Sequence, residues 1–176
     1  MKRTISVLAW IAIAIMASAP ATAQIGRRFP SERKVINDPK TGVELIFLTS
    51  QSGTGDSKIY QTHNQWTSDG KWVIFRSDRV PGEAMAVHEE SGDIVQVTEG
   101  GFSGMLCVAR HSMHLYYMRP VQKAREKSKE RSREREMEVV EIDLERLFAD
   151  SEADNLKKKK HYERICGVIP AEMGAM

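Results

Sequence analysis

The chain has 176 residues, 41% hydrophobic and 28% charged, with 26 basic residues against 24 acidic ones. That length suits one domain or part of one, and a formal net charge of +2 is no footprint for nucleic acid. Two cysteines, Cys107 and Cys166, make neither a disulfide framework nor a C-x-x-C metal pattern.

Lys2 and Arg3 open the chain, followed by an apolar run over residues 5–17 and then Ala21-Thr22-Ala23. These are the basic region, hydrophobic region and cleavage site of a secretory signal peptide over residues 1–23, so the protein is expected to be exported, to the periplasm or beyond, and to begin near Gln24. The run is short for a bilayer span of about 20 residues. No later segment is long and apolar enough, so no membrane contact is expected after cleavage. Removal of Lys2 and Arg3 leaves 24 basic residues against 24 acidic ones.

Residues 24–36 form a polar, basic lead-in. "NDPKTGVELIFLT" follows, with turn residues Asp38, Pro39 and Gly42 before an opening strand over residues 43–49. Residues 50–57 form a loop by their Gly and Ser content. A strand is predicted over residues 59–66, and Asp69-Gly70 is a hairpin signal. Residues 71–77 make the next strand, with Trp72 and Ile74 pointing one way and Val73 and Phe75 the other. Apolar residues on both faces imply a strand sandwiched between two layers. Strands over residues 84–90 and 94–98 complete the unit, with turns between each pair.

The pattern then recurs. Residues 102–109 read as a first strand, and "RHSMHLYYMR" overlays "TSDGKWVIFR" at an offset of 42, with a slip of one that would set Arg76 on Arg119. Residues 137–145 and 161–169 supply the remaining strands. Four strands recurring every 40 to 45 residues mark a β-propeller blade. The expected fold is therefore all-β: an incomplete β-propeller with the opening strand and first blade over 37–100 and a second blade over 101–170. The second blade carries a charged insertion at 121–138, whose interleaved signs suit a solvated helix or loop. Residues 157–160 are all lysine and follow Glu152 and Asp154, the composition of a solvated loop tip.

"NDPKTGVELIFLT", "IYQTHNQWTSDGKWVIF" and "SGDIVQVTEGGF" together resemble the N-terminal part of the oligogalacturonate lyase family. The blade repeat also resembles TolB-like periplasmic propellers. The lyase resemblance implies a seven-bladed propeller whose opening strand completes the last blade, and β-elimination on pectin-derived oligogalacturonides. It further implies a divalent, manganese-like metal held by histidines and a glutamine, with a catalytic histidine and an arginine beside it. Those residues belong to later blades, so no catalytic or metal position is carried onto this chain. The chain itself is expected to be inactive, to need the remaining blades for closure, and to aggregate or partly unfold alone. The alternative is a non-catalytic, TolB-like protein-binding module.

Local candidates remain for substrate contact. His63, on the predicted innermost strand, is placed to face the central channel or merely to pack there. Arg76 and Arg79 could clamp a uronate carboxylate, although "SDR" also belongs to the repeat. Asp78 and Asp69 are read as turn residues. His111 and His114 flank a hairpin turn, and His88 and His161 stand alone on strands, so the five histidines show no ligand spacing. Trp66, Trp72, Phe75, Tyr116 and Tyr117 are read as core between blades. With Cys107 on a first strand and Cys166 on a fourth, three strand spacings put them about 14 Å apart, beyond disulfide reach.

Overall fold

The computed structural model describes residues 23–121 and 136–173. The expected signal peptide and residues 122–135 of the charged insertion lie outside the described residues.

Eleven strands are described: β1 (Arg28–Phe29), β2 (Lys34–Asn37), β3 (Glu44–Phe47), β4 (Ser57–Lys58), β5 (Trp72–Arg76), β6 (Ala84–His88), β7 (Ile94–Gln96), β8 (Ser103–Val108), β9 (His114–Pro120), β10 (Met137–Asp143) and β11 (Glu163–Ile169). One α-helix, α1 (Leu144–Glu152), joins them. The first large sheet has the order β1-β7-β6-β5-β4 and the second β11-β10-β9-β8, every pairing antiparallel. β4 to β7 and β8 to β11 are each an up-and-down meander, β1 joins the first at its β7 edge, and the two sheets stack face to face as neighbouring blades of an incomplete propeller. β2 and β3 stand apart as a hairpin.

One hydrophobic core fills the space between the sheets. Trp72, Ile74, Ala84, Ala86, Val95 and Val97 of the first meet Leu106, Val108, Leu115, Tyr117, Val140 and Ile142 of the second. The opposite face of the first sheet has its own cluster, in which Phe75, Met85, Val87 and Ile94 pack with Phe29 and Leu48. β5 is thus buried on both faces, and the alternation of Trp72 and Ile74 against Val73 and Phe75 follows from the two-residue period of a strand.

The 42-residue offset holds at the level of hydrogen bonds. Thr67 N–H donates to Trp72 O at 3.0 Å, and Ala109 N–H donates to His114 O at 3.0 Å. Trp66 bridges Val73 as Val108 pairs with Leu115. Without any slip, Arg76 falls on Met118 and Arg119 falls on Ser77. The expected match of the two arginines is therefore corrected, because strand parity puts them on different faces.

Several expected elements shift. The lead-in over 24–36 supplies β1, which adds a fifth strand to the outer edge of the first blade, and β2, which pairs with the shorter opening strand β3. The predicted first strand over 59–66 is replaced by the two-residue β4, an excursion and a single bridge at Trp66. Trp66 itself is exposed, not core, because its face of the sheet has no cover there. His161 lies in a 3-10 turn (Lys159–His161), just before the last strand.

Helix α1 was not anticipated. Asp143, the last residue of β10, caps it by accepting the Arg146 N–H at 3.0 Å. Leu144, Leu147, Phe148 and Ser151 recur at helical spacing and are buried. Phe148 stacks on Trp72 with ring centroids 4.1 Å apart, which seats the helix over the start of β5.

Candidate functional site

β4 is the inner edge of its sheet, on the side where a propeller has its axis. It pairs with β5 at Ser57–Arg76 and Lys58–Phe75, and pairing resumes only at Trp66–Val73. Eight positions on one strand thus oppose two on the other, so six residues are extruded from the inner edge. Blade two shows a smaller irregularity at its matching strand, where pairing jumps from Ser103–Met118 to Cys107–Tyr116. Gly104 sits in that bulge at φ +74°, a conformation side chains other than glycine adopt at a cost.

His63 lies on the extruded segment instead of the strand expected for it. Its N–H donates to Tyr60 O at 2.9 Å and its ring lies 5.4 Å from the Tyr60 ring. Its Nδ1 is buried and has no hydrogen-bond partner among the described residues. Arg76 ends β5 on the face of Trp72 and Ile74, toward the second blade. Its Nη2 donates to Gly104 O at 3.1 Å, its guanidinium lies 5.8 Å from the Phe102 ring centre, and its Nε is buried without a partner among the described residues. Arg76 therefore ties the inner edge of one blade to the bulge of the next. Buried nitrogens without partners are rare, and each calls for water or a ligand group.

Arg79 is elsewhere. It leaves β5 on the Phe75 side, 5.7 Å from that ring centre. Its Nη2 donates to both Glu32 oxygens at 2.7 Å, its Nε to Glu32 Oε1 at 3.2 Å, and its Nη1 to Asp56 and to Ser77 Oγ at 2.7 Å. The side chain is 5% exposed. Burial alone would raise the Glu32 and Asp56 carboxyls, but the guanidinium and neighbouring donors outweigh it and hold both below the usual range. The expected clamp of Arg76 with Arg79 is thus not assembled: the two guanidiniums lie on opposite faces, and that of Arg79 already holds two protein carboxylates. No hydrogen bond, ion pair or ring contact among the described residues joins His63 to either arginine.

The turn residues behave as read. Asp69 Oδ1 accepts from Thr67 Oγ1 at 2.5 Å and Lys71 N–H at 3.1 Å, while the Asp78 N–H donates to Thr54 O at 2.7 Å. His88 Nδ1 accepts the Ser91 N–H at 3.2 Å, His114 meets Ser112 Oγ at 3.0 Å, and His161 lies 3.8 Å from Asp150. Among the described residues no three of His, Cys, Asp or Glu converge to hold a metal. The described residues therefore do not fit the metal that the lyase resemblance implies, and no step is derived through it. Cys107 and Cys166 are both free and exposed.

A polar cluster inside the blade interface escaped the sequence reading. Arg119 donates to Glu163 through Nη1 at 2.7 Å and Nη2 at 3.0 Å, to Glu138 at 2.9 Å, and to Glu99 O at 3.2 Å. Burial opposes its charge, but Glu163 and Glu138 more than compensate and raise its pKa. Nearby, buried Glu83 accepts from Thr98 Oγ1 and from the N–H groups of Gly100 and Gly101. Tyr117 Oη is buried and makes no well-formed hydrogen bond among the described residues, and burial pushes its pKa up against the lowering influence of Arg119. The signal was available: Leu115, Tyr117 and Arg119 share one strand face, so an arginine there had to be paired.

No protein-family model and no curated protein matches the chain. Solved structures do match in fold. An oligogalacturonate lyase in complex with manganese superposes with a TM-score of 0.56 at 16% identity, over 84% of this chain and 32% of its own. An oligogalacturonate lyase from Vibrio parahaemolyticus gives a TM-score of 0.47 at 17% identity, over 70% of this chain and 39% of its own. The chain thus spans about a third of the length of the solved structures it resembles. At 16% identity the likeness to the manganese-bound lyase is one of fold.

Proposed function

We propose that this chain is the opening part of an exported β-propeller lyase that cleaves oligogalacturonides by β-elimination. The fold likeness to an oligogalacturonate lyase over 84% of the chain carries the reading. The uncovered β2–β3 hairpin and the exposed residues of β11 suit a ring completed by further blades. In that reaction a base removes the proton beside the uronate carboxylate, the bond to the leaving sugar oxygen breaks, and a carbon–carbon double bond forms. A divalent metal, where later blades supply its ligands, would neutralise the carboxylate.

The role assigned here to this chain is positioning. His63 Nδ1 and Arg76 Nε, both buried and unpartnered among the described residues at the inner edge, suit a uronate hydroxyl and carboxylate entering the channel. Arg79 holds Glu32 and Asp56 and keeps the lead-in in place. The test is formation of an unsaturated uronate product by the full-length gene product, followed by ultraviolet absorbance. Arg76→Ala should raise KM by about tenfold or more, the worth of one charge-assisted hydrogen bond, with a smaller change in kcat. Absence of unsaturated product from folded, metal-supplied protein would point instead to a non-catalytic binding propeller.

A further inference from the structure

Residues 157–160, four successive lysines, form a built surface and not a loose tip. The Lys157 N–H donates to Tyr162 Oη at 2.7 Å, and that hydroxyl donates to Asp150 Oδ2 at 3.0 Å. Tyr162 is buried, Lys159–His161 turns as a 3-10 helix, and Leu156 packs on Gly26 so closely that a Cβ there would meet it at 2.3 Å. The backbone under the lysines is therefore held at three points.

The four lysines wall a cleft of about 570 Å³ lined also by Ala23, Gln24, Glu99 and Leu156; Ala23 ends the expected signal peptide, so Gln24, Glu99 and Leu156 are the lining that stays with the lysines after cleavage. Glu99 is its one carboxylate, and Glu99 Oε2 already accepts the Ile25 N–H at 3.0 Å. Lys157 Nζ donates to the Asn155 side chain, a neutral group. Lys158, Lys159 and Lys160 make no ion pair among the described residues. Concentrated positive charge of this kind stands out in a chain whose 26 basic and 24 acidic residues nearly cancel.

We propose that this cleft is a docking site for an acidic oligosaccharide, a run of uronate residues, lying on the outer rim of the second blade. The inference rests on the lyase reading above and adds to it a second contact that would hold polymer near the channel. The lining favours a polyuronide over other polyanions. It presents no aromatic ring for bases to stack on, as single-stranded nucleic acid requires. Its ammonium groups serve carboxylate and phosphate alike as point charges, and the lyase reading selects carboxylate. Leu156 is the one large apolar side chain of the lining, too little to enter a lipid surface.

The experiment is affinity electrophoresis of the full-length protein in gels containing polygalacturonate or neutral dextran. Retardation by polygalacturonate, weakening as salt rises, and none by dextran is expected. Lys158→Gln/Lys159→Gln/Lys160→Gln should weaken retention by at least about tenfold, as loss of three polyanion contacts does. A control of equal net charge, Lys34→Gln/Lys40→Gln/Lys58→Gln, should retain it. Equal loss in both variants, or no loss in either, would overturn the site. So would equal affinity of the cleft for poly(U) RNA or for phosphatidylglycerol vesicles, each lost in the same triple variant. The two readings separate cleanly: unsaturated product with unaltered retention of the triple variant sinks the cleft alone. Lysine-dependent retention with no product from wild type sinks the lyase reading alone.

Discussion

Replacing Arg79 by Met isolates the most heavily used side chain of the first blade. Arg79 is 5% exposed, and its two partners Glu32 and Asp56 are 13% and 15% exposed. Methionine fills much of the stem's volume, so the chief loss is charge. Two carboxylates are then left in a poorly hydrated site without a cation. Breaking a buried pair by removing one member costs about 3–5 kcal/mol. Glu32 keeps the Ser50 and Gln51 N–H groups at 3.1 and 3.0 Å, which favours the lower end of that range.

The pH dependence gives the decisive sign. In the wild type both carboxyls are held below their ordinary values, so their contribution is complete above the unfolded pKa of about 4 and is lost as pH falls through the folded one. Without Arg79 the strongest lowering influence on each carboxyl is gone while burial, which raises it, remains, so both folded pKa values lie higher in the variant than in the wild type. Protonation then costs the folded variant less than the folded wild type. The gap between wild type and Arg79→Met should therefore narrow between pH 7 and pH 4. Urea unfolding of the full-length protein, followed by Trp fluorescence, measures it. A gap below about 1 kcal/mol at pH 7, the value of an exposed pair, or a gap that widens on acidification, would refute the buried-triad account. The triple change Glu32→Gln/Asp56→Asn/Arg79→Met should recover part of the loss, since no charge is then stranded.

Three further outcomes follow from the same geometry. Gly70 sits at φ +72° in the Thr67–Trp72 turn, so Gly70→Ala should cost about 1–2 kcal/mol, read as a lowered unfolding midpoint; an unchanged midpoint would count against the turn. Cys107 and Cys166, on opposite edge strands of the second sheet, should both be alkylated in full without reductant; a mass showing one internal disulfide would break the strand order. The hairpin exposes Val35, Ile36, Leu45, Ile46 and Phe47, so the 176-residue chain should self-associate and Ile46→Lys/Phe47→Lys should reduce this in sedimentation; a monodisperse wild-type monomer would contradict it.

Strand residues of the two blades were largely legible in the sequence because each carries a two-residue alternation and a turn signal. Trp72 to Phe75 shows apolar residues on both faces, and the structure buries both. Short strands without alternation were not legible. β1 has two residues and exists because Arg28 and Phe29 find β7 beside them, a long-range pairing with no local mark. Helix α1 had a mark, Asp143 followed by Leu144, Leu147, Phe148 and Ser151, but the repeat supplied a strand pattern up to that aspartate and masked it.

The candidate site was harder to read for a different reason. In a repeat protein, matching residue types tempt one to match positions, and Arg76 against Arg119 is such a temptation. Parity separates them: each faces the other's blade, and Arg119 is neutralised there by Glu163 and Glu138, while Arg76 reaches Gly104 O and keeps one nitrogen without a partner among the described residues. Under the proposed function, the same residue type is structural in one blade and a ligand contact in the other. What distinguishes the open one is its neighbourhood: six residues extruded from β4 on one side, and the Gly104 bulge on the other. Residues that obey the 42-residue period are constrained by packing against the next blade. Those extruded from it, His63 among them, are released from that duty, so channel contacts should be sought where the repeat breaks.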